Sequence, residues 1–180
     1  MKNTRSSKPT WLFTVTDRIF HLTTRPRDAI NAPTDILQTH VMSSSLGTFV
    51  DKDGYKIGGF GFNNVTFRAQ IGYPLISQLQ DGADIDTQFV AHASFDQMGG
   101  GDLIVNNLDD GISHPYHLHG KPFFLVARGT GNLTAEQWEE IKSDTARIEN
   151  PLRRDVLEIT GGSWAVLRES HNCYMEDDMG

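Results

Sequence analysis

The chain has 180 residues, with 16 Lys and Arg against 23 Asp and Glu, a formal net charge of −7 and a sequence pI near 5.4. That balance is at odds with a nucleic-acid groove, which needs clustered cations to neutralise phosphates; the one dense basic pair, Arg153-Arg154, runs straight into Asp155. Hydrophobic residues make up 38% and glycines number 17, a composition that builds one core and excludes wholesale disorder.

The first ten residues are polar and show no secretory leader pattern, so residues 1–10 read as a tail. Short apolar runs follow, each the length of a strand: Leu12 to Val15, Ile19 to Leu22, Leu46 to Val50, Ile57 to Phe62 and Val65 to Phe67. Asp51-Lys52-Asp53-Gly54 lacks the downstream glutamate of a calcium loop and reads as a hairpin turn. After Pro74, the apolar residues Leu75, Ile76 and Leu79 predict a helical turn ending at Gly82. Strand runs resume at Leu103 to Val105 and Phe123 to Ala127, the latter being the longest apolar run and far short of the ~20 residues of a membrane span. Thr134 with Gln137 three residues on forms a capping box, and Trp138 and Ile141 share a face, which predicts a helix to Lys142. Val156 to Thr160 and Trp164 to Arg168 complete the strands. The pattern predicts an all-β antiparallel sandwich or barrel with one or two short helices. Residues 169–180 are polar and acidic and contain the single cysteine, Cys173, which excludes an intrachain disulfide.

Chemistry concentrates in His114-Pro115-Tyr116-His117-Leu118-His119-Gly120-Lys121. On an extended backbone His117 and His119 project to one side and Leu118 to the opposite, apolar side. Pro115 fixes φ and is expected to set His114 apart from the pair. Imidazole suits copper, zinc, iron and nickel, so His114, His117 and His119 are the candidate metal ligands. His21, His40 and His92 stand alone and read as surface or satisfied polar residues.

This segment resembles the first copper-binding motif of the C-terminal cupredoxin domain of multicopper oxidases, the laccase and ascorbate-oxidase group. The similarity extends to Gly101-Asp-Leu-Ile-Val-Asn-Asn-Leu before it, and to Pro122-Phe-Phe-Leu-Val-Ala-Arg-Gly, Asn150-Pro-Leu-Arg-Arg-Asp-Val and Ser163-Trp-Ala-Val-Leu-Arg168 after it. Gly61-Phe-Asn-Asn-Val-Thr-Phe and Tyr73-Pro-Leu fit more loosely. The resemblance implies a cupredoxin-like Greek-key barrel or sandwich over residues 11–168. It also implies that His114 serves the type 1 copper, His117 the type 2 copper and His119 the type 3 pair. The complete enzyme would couple oxidation of phenols, ascorbate or a metal ion to reduction of dioxygen to water. It would draw on further cupredoxin domains and be secreted, although no signal peptide is visible here.

Two departures stand out. Lys121 occupies a position where the family often has histidine that is not a ligand. The family's H-C-H motif, which brings the type 1 thiolate, is absent after Arg168, where the chain instead reads Glu169-Ser-His-Asn-Cys-Tyr-Met175. The expectation is a domain truncated at both ends, with an unpaired sheet edge that invites association. The alternative is a non-catalytic cupredoxin-like module that binds copper or serves an interaction. A cupin is disfavoured because no glutamate follows the histidine pair. Asn64-Val-Thr and Asn132-Leu-Thr are N-glycosylation sequons, which suit a secreted parent.

Overall fold

The computed structural model describes residues 25–170 except 52, 69, 70 and 98. The expected strands at Leu12 to Val15 and Ile19 to Leu22 therefore lie outside the described residues, as do His21, His171, Cys173 and Met175. Nine strands and two helices occur among those described: β1 (Ile36–Val50), β2 (Lys56–Phe62), β3 (Val65–Thr66), α1 (Leu75–Gln80), β4 (Gly100–Asn107), β5 (His114–His117), β6 (Phe123–Thr130), α2 (Ala135–Thr145), β7 (Leu152–Arg154), β8 (Val156–Ile159) and β9 (Ser163–Ser170).

Seven strands form one sheet in the order β3-β2-β1-β4-β9-β6-β7, and β5 and β8 form a second. The mostly-β cupredoxin-like architecture is as expected, with one correction to strand direction: β1 and β4 run parallel. The first half of β1 pairs with β4 and its second half turns to pair antiparallel with β2, so one 15-residue strand serves two neighbours. Its polar run Gln38-Thr39-His40 gives no apolar alternation, and pairing with Gly101, Asp102 and Leu103 of β4 holds it extended.

Alternation along the strands sorts side chains into two cores. Val105, Phe123, Leu125, Leu157, Ile159 and Leu167 fill the space between the sheets. Ile104, Val126, Trp164 and Val166 point to the other face of the large sheet, where Trp138 of α2 covers them. A register shift between Leu125 and Ala127 marks a bulge in β6 that lets Val126 and Ala127 both join this second core. The capping box of α2 is present as predicted: the Thr134 hydroxyl accepts from Gln137 N at 3.2 Å, and Gln137 Oε1 accepts from Thr134 N at 2.9 Å.

The second core has an ionic anchor. Arg168 donates to both Asp102 oxygens at 2.7 and 2.8 Å, and Trp138 Nε1 donates to the same carboxylate at 2.8 Å. The two charged side chains are only 3% and 0% exposed, and Arg168 also donates to the Pro33 carbonyl. Each charge is therefore paired and hydrogen-bonded, the condition for tolerating burial. By contrast α1 occupies the place expected after Pro74 but buries Gln78, which donates to the Tyr73 carbonyl, and leaves Ile76 and Leu79 exposed.

Candidate metal centre

β5 carries the histidine motif, and its register against β8 decides where each side chain goes. His114 faces Ile159 and His117 faces Val156. Tyr116 is buried among the inter-sheet residues and Leu118 packs against them, while His117 and His119 are exposed. His114 shares the inward side: its ring centroid lies 4.8 Å from Phe60 and 6.5 Å from Tyr116. The separation of His114 from the pair is thus real, but its cause differs from the one expected. β5 runs unbroken through Pro115, and the period-2 alternation of the strand, not the proline, puts His114 on one side and His117 on the other.

The loop before His114 is held from several directions. Buried Asn107 donates through Nδ2 to the carbonyls of Ile112 at 2.8 Å and Ile159 at 2.9 Å, while its Oδ1 accepts from Asp109 N. Gly161 packs so closely that a Cβ there would fall 2.1 Å from the Asp109 carbonyl oxygen. Asp109 sends its carboxylate to His114 Nε2 at 2.7 Å and accepts Leu46 N at 2.9 Å on both oxygens. A carboxylate accepts, so Nε2 carries the hydrogen and Nδ1 is left with the lone pair.

His117 is arranged the other way round. Its Nδ1 lies 2.9 Å from the Asp155 carbonyl, which also accepts Leu118 N at 2.9 Å. The acceptor fixes Nδ1–H and leaves Nε2 free to bind. His119 bends back beside it, with ring centroids 4.6 Å apart at 58°, and makes no hydrogen bond to a described residue. His114 and His117 are therefore each oriented by a hydrogen bond at one nitrogen that turns the other away from that partner, as metal-ligating imidazoles usually are. Such donors fit copper in kind. They do not complete a site by themselves: among the described residues no group of three His, Cys, Asp or Glu side chains is placed to hold a metal ion.

Lys121 is about a third exposed but folds back onto the domain. Its ammonium donates to the Ser170 carbonyl at 2.7 Å and lies 3.4 Å from the nearly buried Glu169 carboxylate, so it ties the motif's end to the last residues of β9. His92 is exposed, as expected. His40 departs from its expectation: it sits edge-on to Phe95 at 4.6 Å, and its Nε2 is buried without a partner among the described residues. Sequence reading assigned no role at the site to Asp109, Asn107 or Asp155, because a turn-rich Asp-Asp-Gly stretch at 109–111 shows where the chain bends but not where a carboxylate points.

Comparisons with known proteins agree with this geometry. Residues 89–175 match the family model described as multicopper oxidase. Laccase-2 of Cryptococcus neoformans var. grubii is 42% identical over 152 residues, 84% of this chain and 25% of that protein. Laccase-1 of the same organism is 43% identical over 146 residues, 81% of this chain and 23% of its own. In fold, the laccase of Botrytis aclada superposes with a TM-score of 0.61 at 20% identity, covering 94% of this chain and 30% of that one. The chain spans about a quarter of the length of the curated laccases it matches. With a motif-bearing sandwich, a matching family model and laccases as relatives, the chain carries a cupredoxin-like multicopper oxidase domain of the laccase group, a family whose cofactor is copper.

Proposed function

We propose that His114, His117 and His119 are copper ligands, His114 at one site and the other two together at a second, within a laccase-type oxidase that reduces dioxygen to water. The observation that carries this reading is the division of the motif by β5: one inward imidazole offering Nδ1, and two outward imidazoles 4.6 Å apart. Copper in these sites supplies one-electron redox chemistry. This chain's own residues orient the imidazoles, keep His114 in a pocket walled by Phe60 and Asp109, and leave the His117–His119 pair open to a facing surface. The remaining ligands would come from other cupredoxin domains, and the reducing substrate would be a phenol, ascorbate or a metal ion. The domain would occupy residues 11–168, and the parent would be secreted, with glycans at Asn64 and Asn132. Both asparagines are exposed, and Asn64 lies at the tip of the β2–β3 turn, where an oligosaccharide meets no obstruction.

The absence of a converging trio among the described residues favours a second reading for the chain by itself: a non-catalytic module that binds copper weakly. Copper titration followed by electron paramagnetic resonance tests the ligand assignment. His117→Ala and His119→Ala should each abolish the nitrogen-coordinated signal of the shared site, while His114→Ala leaves it. Equal copper binding by His117→Ala and the unaltered chain would sink the assignment. Oxygen uptake by the copper-loaded chain would separate an oxidase from a binding module.

A further inference from the structure

Asp109 is built into the site more firmly than a turn residue needs to be. Its side chain is 12% exposed and that of His114 is 16% exposed. Four elements converge on it: Leu46 of β1 donates to the carboxylate, Asn107 of β4 holds its backbone, Gly161 of the β8–β9 turn presses on its carbonyl, and His114 of β5 donates a charge-assisted hydrogen bond to it. Because Leu46 N is shared by both oxygens, neither the rotation nor the position of the carboxylate is free.

We propose that Asp109 is the positioning residue of the His114 ligand: it selects the Nε2–H tautomer, aims Nδ1 away from itself as the metal-binding atom, and increases the donor strength of the ring through its negative charge. The proposal rests on the reading of His114 as a copper ligand for its purpose, but the tautomer is a property of the metal-free chain. A ligand's hydrogen-bonded partner at the second nitrogen controls both orientation and basicity, and a carboxylate is the strongest such acceptor among neutral and anionic side chains. Asp109→Asn is the informative change. Its Oδ1 would keep Leu46 N, its Nδ2 would face His114 Nε2 as a donor, and the imidazole would be driven to the Nδ1–H form, closing the metal-binding atom.

The test uses the full chain with 15N-labelled histidine, without metal and then with Zn2+ as a diamagnetic probe. Long-range 1H–15N correlation should show Nε2–H on His114 and Nδ1–H on His117 in the unaltered protein. In Asp109→Asn, with amide dispersion showing an intact fold, His114 should switch to Nδ1–H while His117 keeps its form. Zn2+ binding at His114 should weaken by about 10- to 100-fold, the usual cost of removing such a partner. An Nδ1–H form on His114 in the unaltered chain overturns the proposal whether or not the variant folds, and so does an unchanged tautomer in a folded Asp109→Asn. Zn2+ that perturbs His117 and His119 but never His114 instead sinks the ligand reading of His114, with the tautomer results still deciding the role of Asp109.

Discussion

At the residue scale, the polar groups inside this domain are the ones whose partners cannot be removed without a large cost. Asp102 and Arg168 are the clearest case, because removing the carboxylate leaves a guanidinium buried with its hydrogen bonds unmade. Asp102→Ala is expected to destabilise the fold by about 3–5 kcal/mol, measurable as a lowered urea midpoint, whereas an effect within experimental error would mean that the guanidinium finds water. The histidine motif was legible in the sequence because its chemistry resides in side chains at short fixed spacing. Asp102 and Arg168 were not, because each meets its partner from a distant strand, 66 positions away; Asp109 stands five residues from His114, but it is the Leu46 N–H of β1, 63 positions away, that helps set its carboxylate's direction.

Elements were readable where side-chain pattern and backbone state coincide. The α2 capping box was visible as Thr134 and Gln137, and Thr134→Ala should cost about 1 kcal/mol by leaving a helix N–H unsatisfied, seen as a lower thermal midpoint. β1 was half legible: its apolar end was recognised, but the run from Ile36 to Ser44 is extended because it pairs with β4, which composition does not record. Among the described residues β5 pairs with β8 alone. Leu118 N bonds Asp155 O, so with the observed register His114, Tyr116 and Leu118 turn their backbone groups to β8, and Pro115 and His117 turn theirs outward. Proline at an outward position has no N–H to offer another strand. Pro115→Val should restore that donor and increase self-association, read by sedimentation velocity; an unaltered distribution of species would show that the edge is covered by other means.

At the scale of the whole molecule, the two sheets are joined by packing and by polar contacts that include Asn107 to the Ile159 carbonyl at 2.9 Å and the short Tyr116 Oη to Ser44 Oγ contact at 2.5 Å. Burial, foremost, and the nearby Asp109 charge raise the Tyr116 pKa above 10.0, while the Ser44 bond opposes that shift. The folded state therefore holds the phenolic proton more tightly than the unfolded state. This contribution to stability is complete below pH 10 and is lost as pH rises through the folded value. The difference in urea midpoint between the unaltered chain and Tyr116→Phe should accordingly shrink or reverse above pH 10; a pH-independent difference would refute the linkage. The layered architecture itself was legible from strand spacing, but not which strands would leave the large sheet, since that depends on corners such as Asp155.

That corner carries a broader implication. The Asp155 carbonyl receives both Leu118 N and His117 Nδ1, so the oxygen that fixes where the chain crosses between sheets also sets the protonation state of an imidazole. Every residue type has that oxygen. The Asp155 carboxylate lies farther from Nδ1, at 3.9 Å, so the hydrogen bond itself outlasts a change of side chain, and amino-acid identity at this position does not report its role. What must be inherited is the path of the main chain, so the function at this point is encoded by the corner's shape.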